Sequence, residues 1–123
     1  MAIDRYLTKG RRLLRHQLQA PGLAAVETLT GATQLTGASS QLLKLDPGGA
    51  ARNVTLPGID EGVADTDGLV FVITNAADAA ENLVILDPAA ATVVTISQNE
   101  SCTIVGTGAQ AYAHMGIITI ALS

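Results

Sequence analysis

From Val26 onward the sequence is divided into short runs rich in Val, Ile, Leu and Thr, and each run is followed by Gly, Pro, Asp or Asn. The first group of residues favours extended strands and the second favours turns. The runs recur about every 8–15 residues, which is the rhythm of antiparallel sheets rather than of strands joined by helices. This spacing predicts a mainly β fold, namely an antiparallel β-sandwich or barrel of about 8–9 short strands.

Nine runs have the composition of strands. They cover residues 26–30, 41–45, 53–56, 69–74, 83–86, 92–96, 101–105, 109–115 and 117–122. Residues 24–40 are rich in Thr, Gly and Ala and predict either an edge strand or an extended connector. Residues 58–68 contain four acidic residues and three glycines, so we interpret them as a solvent-facing loop.

The core of such a body has to be built almost entirely from aliphatic side chains. Tyr6, Phe71 and Tyr112 are the only aromatic residues, and there is no Trp. Apolar burial is worth about 25 cal/mol per Å², and small side chains bury little area each. We therefore expect contacts between subunits to bury additional surface, and a symmetric homo-oligomer is the natural arrangement.

Charge divides the chain into two parts. Five of the seven basic residues fall within the first 15 positions, and residues 1–20 carry a formal charge of +4. Residues 21–123 carry a formal charge of −8. A basic arm on an acidic body indicates a module that docks through its N-terminus rather than a catalyst. We accordingly divide the chain into an arm, residues 1–25, and a body, residues 26–123.

The arm has several possible structures and partners. Apolar residues at helical spacing predict a helix over residues 3–18, although Gly10 interrupts it. A helix of this length is marginal in isolation, so a partner or the body would have to order it. Docking on an acidic protein surface is the interpretation that we favour. The alternatives are contact with nucleic acid, a membrane-surface helix or transit peptide, and a helix packed on its own body.

The residues that could carry chemistry do not form a recognisable motif. The two histidines, His16 and His114, are far apart and have no ligand at zinc spacing, and the acids of residues 58–68 do not match a calcium loop. Cys102 lies in a strand pattern, which predicts a buried thiol. We therefore expect no catalytic residue, no metal site and no cofactor, and we do not expect an enzyme.

The sequence also limits the compartment. A single cysteine excludes an intrachain disulfide and fits a reducing environment. No apolar run approaches the length of about 18 residues that spans a membrane, and the N-terminus lacks the apolar segment of a secretory signal. We expect neither a membrane-spanning segment nor a signal peptide.

One part of the body resembles a known class of viral proteins. The segments that carry the resemblance are LDPGGAARNVTLP at 45–57, DGLVFVITNAA at 67–77, NLVILDPAAATVVTISQNESCTIVG at 82–106 and AYAHMG at 111–116. Their order and turn residues are similar to those of small β-domains in tailed-bacteriophage virions. Head decoration (cement) proteins show the greatest similarity, and head-fibre and tail-fibre modules share the same cadence.

The resemblance implies a trimeric structural protein that binds the outside of a capsid at threefold or quasi-threefold positions and stabilises it. The partner would be the major capsid protein, with no direct contact with nucleic acid or membrane. The protein would be made in the host cytoplasm and located on the outer capsid surface. The capsid-binding residues would be the arm's basic and apolar side chains, Arg5, Leu7, Lys9, Arg11, Arg12, Leu14, Arg15 and Leu18.

Two other functions remain open. One is a fibre or tail module that binds a host receptor through loops such as residues 58–68. The other is a small-ligand-binding β-barrel or an enzyme, for which the sequence shows no convergent set of polar residues.

Overall fold

A computed structural model of the chain describes residues 25–120. Nine strands and one short 3-10 helix lie within this range. The strands are β1 Glu27–Thr28, β2 Thr33–Gln34, β3 Leu42–Asp46, β4 Arg52–Thr55, β5 Val70–Asn75, β6 Leu83–Leu86, β7 Thr92–Ile96, β8 Glu100–Gly108 and β9 Ala111–Thr119, and the 3-10 helix is Ile59–Glu61.

The strands form two sheets that share one core. The five-stranded sheet has the order β1-β3-β5-β8-β9, and the four-stranded sheet has the order β2-β4-β6-β7. The chain alternates between the sheets from β1 to β6, so that β1, β3 and β5 are parallel in one sheet and β2, β4 and β6 are parallel in the other. The last three strands, β7, β8 and β9, pair in antiparallel fashion.

The mainly β fold and the number of strands are confirmed, but the predicted antiparallel arrangement is wrong for half of the fold. Parallel neighbours need a long crossover, which is usually a helix. Here the crossover is a strand of the opposite sheet, so the sequence shows no helix between parallel strands. Among the described residues the sheets do not close into a barrel.

The strand boundaries agree best where turn residues are strongest. The predicted strands at 83–86 and 92–96 coincide with β6 and β7. The predicted strands at 109–115 and 117–122 correspond to one strand, β9 Ala111–Thr119, with residues 109 and 110 in the turn before it and residues 121 and 122 outside the described residues. Gly116 does not end it, because its positive φ of 103° is accommodated in a bulge opposite β8.

The core is aliphatic, as the composition predicts. Phe71 is the single fully buried aromatic side chain among the described residues, and Tyr112 packs against the core from its edge. The five-stranded sheet contributes Leu45, Phe71, Ile73, Cys102 and Ile104, and the four-stranded sheet contributes Val54, Leu83, Ile85, Val94 and Ile96.

A buried asparagine connects the two sheets at the end of β5. The Asn75 side chain donates hydrogen bonds to the carbonyl oxygens of Glu81, at 2.7 Å, and Ile96, at 2.9 Å. Its own side-chain oxygen accepts a bond from the Ala77 N–H at 3.0 Å. All of its nitrogen and oxygen atoms thus have partners in an apolar environment, where an unpaired polar atom would be costly.

β9 is only partly covered by the opposite sheet. The five-stranded sheet has one strand more than its partner, and β7 contacts both β8 and β9. Most side chains of β9 are exposed, including Met115 at 72%, Ile117 at 41% and Ile118 at 67%. β9 is therefore an incompletely covered edge strand with apolar residues in solvent, and we call its uncovered part the overhang.

Candidate functional site

The sequence-predicted capsid-binding residues lie outside the described residues. They are Arg5, Leu7, Lys9, Arg11, Arg12, Leu14, Arg15 and Leu18. The described chain shows only where the basic segment joins the body. Residue 25, the first described residue, lies two positions before β1, which is an edge strand of the five-stranded sheet. The division into arm and body stays a prediction.

The loop between β4 and β5 is not simply a solvent-facing segment, contrary to the sequence interpretation of residues 58–68. Thr66 is fully buried and Val63 nearly so. The hydroxyl of Thr66 donates to the Ala111 carbonyl at 2.9 Å and accepts the Gly108 N–H at 3.1 Å. The loop is therefore bound to the β8–β9 hairpin, because the Thr66 hydroxyl forms hydrogen bonds with two polar groups of the hairpin backbone.

Two hairpin side chains complete this attachment. The Gln110 amide nitrogen donates to the carbonyl oxygens of Val63, at 3.4 Å, and Ala64, at 3.2 Å. The Tyr112 hydroxyl donates to the Pro57 carbonyl. Ala109 and Gln110 both have positive φ, as a tight two-residue hairpin requires. The turn conformation thus places Gln110 against the loop.

A cavity of about 510 Å³ opens where this loop meets the β6–β7 turn and the β8–β9 hairpin. Among residues 25–120 its lining includes Asp60, Glu61 and Asp87 and contains neither Lys nor Arg. Glu61 accepts the Gly58 N–H at 2.8 Å, and one oxygen of Asp87 accepts the N–H groups of its own turn. Carboxylates arranged in this way can receive a cationic group.

The surroundings of Tyr112, near this cavity, shift the pKa of its hydroxyl group. Burial, and secondarily the negative charge of Glu61, raise the pKa of Tyr112 to about 12. The phenol therefore remains protonated and keeps donating to Pro57 throughout the neutral range.

A second group of carboxylates lies elsewhere, near the β3–β4 turn. Oxygen atoms of Asp46, Asp78 and Glu81 lie within 4.8 Å of one another. One Asp46 oxygen is already occupied by the Gly48 N–H at 3.0 Å. Such oxygens could hold a hard cation, and one of them, Oε1 of Glu81, is buried and has no hydrogen-bond partner among the described residues. The sequence did not reveal this group, because Asp46 lies 32 positions before Asp78, which lies 3 positions before Glu81.

In the part of the chain that the structure describes, the remaining reactive side chains do not converge. Cys102 is buried, as predicted, and burial raises the pKa of its thiol, so the nucleophilic thiolate is disfavoured at neutral pH. His114 lies exposed on β9. Within residues 25–120 there is no helix of the length and apolar character needed to cross a membrane.

Comparisons with family models, with curated proteins and with solved structures each returned no match.

Proposed function

We propose that this chain is a structural protein of a tailed-bacteriophage virion, which binds the outside of the capsid and stabilises it as a decoration, or cement, protein. The observation that carries the proposal is the separation of charge, with +4 on residues 1–20 and −8 on the rest. The arm would dock on the major capsid protein, and the acidic bodies would face outward.

The described body is a single packed unit that could carry the arm. Its sheets share one core, and its longest loop is hydrogen-bonded to a hairpin. The same charge separation argues against nucleic acid as the partner, because a body with a charge of −8 repels phosphates. An acidic patch on a capsid subunit would attract the basic arm, and the acidic body would not have to come close to that patch.

The arm can combine two kinds of contact. Arg5, Lys9, Arg11, Arg12 and Arg15 supply charge, while Leu7, Leu14 and Leu18 supply apolar surface for a groove. The arm could also add a strand to an exposed sheet edge. Three arms on one trimer raise the avidity through effective concentration, so a modest contact at each arm is sufficient.

The test is co-sedimentation of the full chain with undecorated capsids. Arg12→Glu and Lys44→Glu change the net charge equally, but Arg12 lies in the arm and Lys44 is an exposed residue of β3. Exposed ion pairs contribute about 0.2–1 kcal/mol each, and three arms multiply the effect. We expect Arg12→Glu to weaken binding by about tenfold and Lys44→Glu to leave it unchanged.

The triple reversal of Arg11, Arg12 and Arg15 to Glu should abolish binding at physiological salt, and high salt should weaken binding of the unaltered chain. Equal losses for Arg12→Glu and Lys44→Glu would place the contact on the body. Failure of the unaltered chain to bind any capsid would reject the cement function.

The acidic cavity favours a second candidate function, a fibre or tail module that binds a host receptor. In this function the loop of residues 58–68 would contact cationic groups on the cell surface. Asp60→Asn removes an exposed carboxylate at the cavity, and Asp78→Asn removes an exposed carboxylate away from it. Loss of binding to host cells with the first variant alone would support this function.

A further inference from the structure

The overhang of β9 leaves two different surfaces of the same strand without a partner. Opposite β8, Ile118 pairs with Ser101 on the outer face of the sheet, and Ile117 pairs with Cys102 on the face that continues the core side. Ile118 is 67% exposed and Ile117 is 41% exposed. Apolar side chains in solvent on both faces of one strand are unusual for a monomer.

The outer face of the sheet next to β9 is also free of charge. Register places Val70, Val105 and Ala113 in one row and Thr74, Ser101 and Ile118 in another. Val72 and Thr103 form a pair between these rows. None of the side chains on this face of β5, β8 and β9 is ionisable. We call this surface the outer patch.

The inner surface of the overhang is formed by the other side of β9. His114, Ile117 and Thr119 are exposed there, since β7, the edge strand of the four-stranded sheet, covers β9 only in part. Glu100 pairs with Thr119, so one carboxylate lies at the end of this surface. We call this surface the inner patch. The strand contains no Asp, Glu, Lys, Arg or Pro, although edge strands of monomers are commonly protected by such residues.

We propose that β9 is the interface between copies of this chain, in which the outer patch of one copy packs on the inner patch of the next and three copies close a ring. The inference rests on the trimer of the proposed function and gives it a location. Contacts between two different patches of the same molecule generate rings when the rotation closes.

A second copy fits this surface because of charge. Each body carries −8, so two copies repel each other unless they meet where charge is absent. The outer patch has no ionisable side chain, and Glu100, which pairs with Thr119, is the one acidic residue that register places beside the inner patch. The two patches therefore provide such a place, and β9 is about 30 Å long at the usual strand rise. Twofold self-pairing would bury one patch and leave the other in water, whereas a ring buries both.

The oligomeric mass of the full chain in solution, measured by light scattering or native mass spectrometry, tests this arrangement. We expect three times the chain mass of 12.6 kDa. Ile118→Lys in the outer patch and Ile117→Lys in the inner patch should each reduce the mass to that of one chain. Ile59→Lys is the matched control, because Ile59 is 69% exposed outside both patches, and it should remain trimeric.

Mixing the two disrupted variants distinguishes a ring from twofold pairing. Ile117→Lys retains an intact outer patch and Ile118→Lys retains an intact inner patch, so the mixture should form a species of twice the chain mass that neither variant forms alone. Circular dichroism of each variant should show an unchanged β spectrum.

A monomeric or dimeric unaltered chain, or a trimer that survives both Lys substitutions, would overturn the proposal. The mass measurement needs no capsid, so its failure is distinct from failure of capsid binding.

Discussion

At the residue scale, Asn75 holds an unusual position for a polar side chain. It is fully buried, and its amide nitrogen binds two carbonyl oxygens, one before β6 and one at the end of β7. The sequence marks Asn75 only as a residue that ends a strand. The structure shows that it also connects the end of β5 to the opposite sheet. This connection requires a side chain that can donate two hydrogen bonds.

Asn75→Asp tests this requirement without changing the size of the side chain. The substitution removes two donors and places a carboxylate against two carbonyl oxygens, so we expect the free energy of unfolding to fall by about 3 kcal/mol or more. Urea unfolding measures the change. Asn53→Asp, at an exposed position of β4, should cost less than about 0.5 kcal/mol. Similar losses for both variants would mean that the added charge, rather than the buried amide, determines the effect.

The pKa of Tyr112 predicts how the free energy of unfolding changes with pH in the alkaline range. Its pKa is about 12 in the folded chain, mainly because of burial, and about 10 in an unfolded chain. The unfolded state therefore releases its proton first, so the contribution of Tyr112 is complete below pH 10 and is lost as the pH rises towards 12.

Ultraviolet titration of a Tyr6→Phe variant, in which Tyr112 is the remaining tyrosine, should show this high pKa. Tyr112→Phe should lower the stability at pH 7 by about 1 kcal/mol, because the hydrogen bond to Pro57 is lost, and should flatten the alkaline decline. An ordinary tyrosine titration near pH 10 in the folded chain would contradict the buried arrangement.

At the element scale, the attachment of the β4–β5 loop to the β8–β9 hairpin depends on close backbone approach. A Cβ atom at Gly106 would lie 1.7 Å from the carbonyl oxygen of Thr66. The N–H of Gly106 also donates to the Leu69 carbonyl at 2.8 Å. Glycine is therefore required at this position by space, not by a turn conformation.

Gly106→Ala should consequently lower the free energy of unfolding by about 3 kcal/mol, since neither backbone can yield easily. It should also increase amide hydrogen exchange in residues 58–68. Gly31→Ala is the control, because a Cβ there meets nothing within 4 Å, and we expect almost no change. A tolerated Gly106→Ala would show that the loop can separate from the hairpin at little cost.

Whether a strand could be predicted depends on whether the residues that determine it are close together in the sequence. β6 and β7 were predictable because an apolar run is followed by Asp87 and Pro88, which form a turn locally. The parallel partners were not, because Leu45 pairs with both Glu27 and Asn75 across long stretches of chain. The contacts of Thr66 with the hairpin depend on the same long-range arrangement, so the sequence presented its loop as merely acidic.

At the scale of the whole molecule, the arm and the body are predicted to be independent. The core is made from side chains of both sheets within the described residues. We expect deletion of residues 1–20 to leave one cooperative unfolding transition with a free energy within about 0.5 kcal/mol of that of the full chain. A larger loss would indicate that the arm packs on its own body, an interpretation that the sequence leaves open.

The strand order has a geometric consequence for assembly. β1, where the arm joins, and β9 are the opposite edges of the five-stranded sheet, four strand spacings or about 19 Å apart. If β9 lies nearest a threefold axis, as proposed above, the three points at which the chain enters β1 lie at the perimeter. In the proposed trimer the three arms would therefore start from well-separated points. They could reach several capsid subunits, while the centre of the trimer would contact none of them.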